Sequence, residues 1–154
     1  MPPLSALLHT FNDALILGRA LETLYPCGEI LIVDHGSHDA TLHIAREYGA
    51  RTIPFSADIP PGQFLQFANS DWILCLEPRE SLTEALAASL FEWKLGDERA
   101  QAFNIFLREE NTEGWIDLPA PQTRLVPKTW SHWQGWLPAH DPSASSLEGR
   151  LLRF

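Results

Sequence analysis

The sequence predicts an α/β domain: a mainly parallel sheet flanked by helices, with a small β-rich C-terminal tail. Three observations predict it. Strand-like and helix-like segments alternate through the first part of the chain, which argues for a parallel sheet. Glu29 to Asp34 is a continuous β-branched run ending in an acid, as in a strand buried on both faces. From Pro119 onward the chain turns rich in Pro, Trp and Ser and loses its long periodic segments.

The elements follow in order. Leu4 to His9 is a short apolar run, closed by Thr10-Phe11-Asn12-Asp13. Asn12 or Asp13 can cap the helix expected over Ala14 to Leu24, where Leu15, Leu17, Leu21 and Leu24 recur at helical spacing. Pro26 and Gly28 stop it. Glu29 to Asp34 is a second strand, His35 to Asp39 a turn, and Thr41 to Tyr48 a second helix ended by Gly49. Arg51 to Pro54 is a third strand. Ser56 to Gly62 is a proline-punctuated loop, and Gln63 to Asn69 a short helix. Asp71 to Leu76 is a fourth strand. Ser81 to Leu95 reads as a helix opened by the capping box Ser-Leu-Thr-Glu, with Gly96-Asp97 ending it. Ala100 to Arg108 is a strand, and Trp115 to Leu118 pairs back in a hairpin across the polar turn Glu109 to Gly114.

The 154 residues suit one domain with one core, here 1–154, with a ligand-binding half over 1–97 and a short irregular half over 98–154. Apolar residues make up 45% and charged residues 20%, an ordinary globular composition. The net charge of −9 argues against nucleic acid as a general partner. Cys27 and Cys75 belong to no CxxC pair and read as buried, reduced thiols. The N-terminus lacks a basic segment followed by an apolar one, and no apolar run is long enough to span a bilayer, so the expected compartment is the cytoplasm.

Ligands of open α/β sheets bind outside the carboxyl ends of the strands. Those ends carry Thr10 to Asp13, Asp34 to Asp39 and Glu77 to Glu80. No GxGxxG or GKS/T loop is present. Leu4 to Asp13 resembles the opening strand and turn of family 2 glycosyltransferases, usually Val-Ile-Pro-Thr-Tyr-Asn-Glu. Glu29 to Thr41 is similar to that family's Val-Asp-x-Gly-Ser-x-Asp-x-Thr, and Ile44 to Ala50 continues the match. Asp71 to Glu80 resembles Asp-Trp-Ile-Leu-x-Leu-Asp-Ala-Asp-Glu. The resemblance covers about residues 4–90 and, more loosely, Arg124-Leu125-Val126.

That resemblance implies the glycosyltransferase A (GT-A), Rossmann-like fold. It implies transfer of a hexose, with inversion, from a UDP-, GDP- or dTDP-sugar to an acceptor that the sequence does not name. Thr10 and Asn12 would line the nucleotide pocket, and Asp34 would accept from the base or ribose. Gly36 would let the backbone approach the ligand, and Ser37 would offer a hydroxyl. Asp39 shapes the pocket or simply caps the second helix.

The chain departs from the family at its Asp-x-Asp, which holds Mg²⁺ or Mn²⁺ against the diphosphate. Glu77 keeps a carboxylate there, available if a metal binds. Arg79 puts a cation where the second acid should be and argues against that cofactor. Arg79 either pairs with the diphosphate directly or forms a salt bridge with Glu77, Glu80 or another acid, leaving the donor chemistry lost. The candidate catalytic base is Asp141, in His140-Asp141; a plain turn is the alternative. His35, His38 and His43 lack the spacing of a zinc site. Trp115, Trp130, Trp133 and Trp136 either stack on sugar rings or cover the sheet, and the aromatic tail offers a surface for self-association. Two functions therefore stand: a transferase, or a degenerate nucleotide-sugar-binding or regulatory module.

Overall fold

A computed structural model of the chain describes residues 3–96 and 101–154. The strands are β1 (Leu4–Thr10), β2 (Glu29–Asp34), β3 (Arg51–Pro54), β4 (Trp72–Cys75), β5 (Glu80–Leu82), β6 (Phe103–Asn111), β7 (Gly114–Asp117), β8 (Gln122–Pro127), β9 (Trp133–Gln134), β10 (Leu137–Pro138) and β11 (Ser145–Arg153). The helices are α1 (Ala14–Glu22), α2 (Thr41–Glu47) and α3 (Glu84–Leu95), with a 3₁₀ helix over Pro61–Phe67. The main sheet runs β3-β2-β1-β4-β8-β6-β11-β5, with β7 pairing on β6; β9 and β10 form a separate hairpin. The parallel expectation holds across β3-β2-β1-β4. Beyond β4 the sheet is mixed: β8 is antiparallel to β4 and β6, and β11 is parallel to β6 but antiparallel to β5.

Burial follows the period of two along the strands. Leu4, Ala6 and Leu8 of β1 face a core shared with Leu17 and Leu21 of α1, Ala45 of α2 and Leu86, Leu90 and Trp93 of α3. Leu7, with Leu31, Val33 and Ile73, faces a second core under Phe64 and Leu65 of the 3₁₀ helix, against which Trp130 and Trp133 pack. The three α-helices thus share one core. On the other face the cover is the 3₁₀ helix with tail tryptophans.

Two elements differ from expectation. The helix predicted from Ser81 begins at Glu84, and its cap is Thr83, whose Oγ1 accepts from Leu86 N at 3.2 Å. Ser81 lies in β5, paired with Leu152, so its backbone belongs to the sheet. The 98–154 half is not an irregular appendage. It supplies β6, β8 and β11 to the main sheet. β11 escaped notice because Gly149 (φ +95°) and a register shift between Ser146 and Arg150 interrupt its alternation. The strand expected from Ala100 starts at Phe103; Ala100 and Asp97 lie outside the described residues. No helix among the described residues is long and apolar enough to cross a membrane.

Candidate functional site

The loops after β1 and β2 are tied into one polar knot. Asp34, at the end of β2, is 7% exposed. Its Oδ1 accepts from Thr10 Oγ1 at 2.7 Å and Ser37 Oγ at 2.6 Å, and its Oδ2 from Gly36 N at 3.2 Å and Ser37 N at 2.8 Å. Burial alone would raise its pKa, but these donors outweigh it and hold the carboxyl below its ordinary range. A carboxylate offers about four lone-pair sites, and all four are engaged here. Asp34 therefore shapes the loop, and the direct bond to a base or ribose expected of it has no free acceptor. Gly36 adopts φ +87°, and a Cβ there would meet nothing within 4 Å. Glycine serves the turn at this point rather than a close approach within the chain.

Asn12 also has positive φ (52°), a conformation its short amide tolerates. Its N–H donates to Ser37 Oγ at 2.9 Å, and its Oδ1 accepts from His38 N at 2.8 Å. Neither Asn12 nor Asp13 caps α1 through its side chain. Asp39 does that work across the loops: its Oδ2 accepts from Ala14 N at 3.2 Å and its Oδ1 from Thr41 N at 2.9 Å. Of its two expected roles, this geometry is the helix-end one. Four expected site residues, Thr10, Asn12, Asp34 and Ser37, are thus bonded to one another, while Asp39 bonds Ala14 and Thr41 at the adjoining helix starts.

Beside this knot lies a cleft of about 340 Å³, lined by His9, Asp13, Glu77, Arg79, Gln134 and Trp136 among others. Arg79 Nε donates to Glu77 Oε2 at 2.9 Å, and Arg153 Nε lies 3.8 Å from the same oxygen. Glu80, next along, is wholly buried. It takes a bidentate pair from the equally buried Arg124, accepts from Glu77 N at 2.8 Å, and receives Arg153 Nη2 at 3.1 Å. Burial pushes its pKa up, but Arg124 overrides that, and the carboxyl sits below its usual range.

His9 and Trp136 bring an aromatic cluster to the cleft, with His35 and Phe55 packed behind them. His9 Nδ1 and His35 Nε2 are 2.8 Å apart. Trp136 stacks on His9 at 5.1 Å and Phe55 on His35 at 4.0 Å. Burial, and secondarily the neighbouring His35, push the His9 pKa down to about 4. The pair is therefore neutral at pH 7, one imidazole donating to the other.

A second cleft of about 540 Å³ shares Glu77, Gln134 and Leu137 with the first and extends to Gln122, His140 and Arg153. His140 lines it. Asp141 does not line either cleft. Its Oδ1 accepts from Ser143 Oγ at 2.6 Å and Ser143 N at 2.9 Å, bonds that hold its pKa low, so the expected base is a turn residue in this geometry. Trp130 and Trp133 are core cover, and Trp136 alone of the tail tryptophans reaches the first cleft. His9, Gln134 and Arg153 were not foreseen. The one signal was a histidine inside an otherwise buried run.

No family model matches the chain. The chain is 33% identical over 98 residues to the lipopolysaccharide core biosynthesis glycosyltransferase LpsC of Rhizobium meliloti, covering 58% of this chain and 36% of that protein. It is 29% identical over 90 residues to the uncharacterized glycosyltransferase RP128 of Rickettsia prowazekii, covering 56% and 31%. S. aureus TarS 1-349 superposes with a TM-score of 0.60 at 17% identity, covering 83% of this chain and 48% of that one. The fold is that of a family 2-like glycosyltransferase. Glucosyl-3-phosphoglycerate synthase from Mycobacterium tuberculosis, solved with Mn²⁺, UDP and glucosyl-3-phosphoglycerate, gives 0.56 at 18% identity, covering 70% and 44%. This GT-A chain spans about a third of the length of the curated relatives it matches.

The divalent metal associated with the fold does not suit the residues at the altered Asp-x-Asp. Glu77 is paired with Arg79, Glu80 is buried beneath Arg124 and Arg153, and a guanidinium stands at the second acid's place. Guanidinium cannot ligate a metal, and it repels one.

Proposed function

We propose that this chain is the donor-binding part of a glycosyltransferase that moves a hexose from a nucleotide-diphosphate sugar to an acceptor hydroxyl. The observation that carries this reading is the knot of Thr10, Asn12, Asp34 and Ser37 beside a cleft holding Arg79. A pre-formed turn at the strand ends, next to an exposed guanidinium, suits a sugar diphosphate without a metal, because guanidinium–phosphate pairing is bidentate. Arg79 would exchange Glu77 for the phosphate, and Trp136 would offer a flat face to the sugar or base.

In the reaction the acceptor oxygen bonds to the anomeric carbon. The bond from that carbon to the phosphate oxygen breaks, and the nucleoside diphosphate leaves with the electron pair. The hydroxyl proton needs a base. Glu77, the carboxylate common to both clefts, is better placed than Asp141.

A second reading, a binding module without turnover, is favoured by one observation: Arg79 closes on Glu77 at 2.9 Å, so each blunts the other. Calorimetric titration with UDP-, GDP- and dTDP-sugars, with and without Mn²⁺, tests both. The expected result is binding of one nucleotide class that Mn²⁺ does not strengthen. Absence of any nucleotide binding sinks both readings. Binding without product, across a panel of acceptors, selects the module.

A further inference from the structure

The second cleft differs in chemistry from the first. Its polar wall is Gln122, Gln134, His140, Glu77 and Arg153, with Leu137 and Pro138 between. Arg153, the guanidinium that lines it, is already committed. Its side chain is 12% exposed and contacts Glu80 at 3.1 Å and Glu109 at 3.5 Å. The surrounding network balances: Glu77, Glu80 and Glu109 face Arg79, Arg124 and Arg153. An anion entering here would meet the Glu77 carboxylate and would have to draw Arg153 away from three acids. That competition is unfavourable in a partly desolvated site.

The neutral groups are oriented. Gln122 Oε1 accepts from Arg124 Nη2 at 2.8 Å and from Nε at 3.2 Å. A guanidinium only donates, so the amide oxygen must face it, which leaves the Gln122 NH₂ as the end free to donate elsewhere. Gln134 stands on the wall common to both clefts. Amide donors and acceptors interspersed with Leu137 and Pro138 match a ring that presents hydroxyls at its edge and C–H groups on its faces.

We infer that this second cleft is the acceptor subsite and that it takes a neutral, polyhydroxylated molecule, a sugar ring, in preference to a phosphorylated or carboxylated one. The inference rests on the reading of the first cleft as the donor site. The shared wall brings an occupant of one cleft against an occupant of the other.

The test is side-chain amide NMR on the full chain, following Gln122 and Gln134. The probes are methyl α-glucoside and maltose, against glucose 6-phosphate and inorganic phosphate. The neutral sugars should shift both glutamine signals. Gln122→Ala should weaken sugar binding, read at the remaining Gln134 amide, about tenfold, the scale of one lost hydrogen bond to a buried polar partner, without moving the UDP response at the Trp136 indole. Two results overturn the inference: glucose 6-phosphate binding here more tightly than methyl α-glucoside, or no neutral probe shifting either glutamine. Neutral sugars that bind while no nucleotide perturbs Trp136 would sink the donor reading instead.

Discussion

Glu80 and Arg124 are both fully buried, so water does not solvate the charge of either one if the other is lost. Breaking a buried pair costs about 3–5 kcal/mol, because it strands the remaining ion. Arg124→Met should lower the unfolding free energy toward that range in urea titrations, softened because Arg153 still contacts Glu80. The double change with Glu80→Leu should recover part of the loss, and no recovery would show that the charge was not the cause. His9 gives a pH signature. Burial and His35 depress its folded pKa from 6.5 to about 4. Between those values the unfolded chain takes up a proton that the folded chain refuses. Its contribution is therefore intact above pH 6.5, falls as pH drops toward 4, and levels off below. His9→Gln should flatten that part of the stability–pH curve measured by chemical denaturation. Residue roles were the least legible part of the sequence. The motif placed Asp34, Ser37 and Asn12 together correctly, but it could not show that their acceptors would be spent on one another. That depends on the loop's backbone path, which places Gly36 N and Ser37 N on one carboxylate.

At the scale of elements, α3 and β11 pack so closely that a Cβ on Gly149 would lie 2.3 Å from Leu86 N, and φ there is +95°. Neither objection can relax independently, since Thr83 Oγ1 bonds Arg150 O at 2.9 Å and Arg150 N at 3.2 Å. Gly149→Ala should cost at least about 1–3 kcal/mol from the backbone conformation alone, readable as a drop in Tm. Thr83→Ala should cost about 1 kcal/mol through the lost cap, and an unchanged Tm would contradict the assignment of Thr83 as N-cap. The strands β1, β2 and β4 were legible because each is a short, mainly apolar run that the sheet buries, and the exposed edge strand β3 because Gly49 and Pro54 bracket it. β5 and β11 were not. β5 is three residues long, and its Ser81 opens the run Ser-Leu-Thr-Glu, which reads as a helix start, while the glycine and register shift in β11 erase its period.

For the whole molecule, the two cysteines report on cooperativity. Burial pushes the Cys75 thiol up to about 12, and the same holds for Cys27. Thiolate is the reactive form, so labelling of Cys75 by a disulfide reagent should wait for global unfolding. Its rate should track denaturant as unfolding does, and fast native-state labelling would mean local opening of β4. The α/β class, and the gathering of polar groups at the strand ends, were evident from the alternation and the ordered motifs. The mixed far side of the sheet was not, because β8, β6 and β11 are joined by long-range pairings that local spacing does not encode. One consequence concerns how the chain comes off the ribosome. β11 is an interior strand slotted between β6 and β5, and its Arg153 meets Glu80, made 73 positions earlier. Until residues 145–153 emerge, both neighbouring edges stay open, and the Glu80 carboxylate lacks one of its counter-charges. High contact order of this kind slows folding. Vectorial synthesis therefore leaves the sheet and the ionic floor of the clefts open until residues 145–153 are made, and both then close in one step.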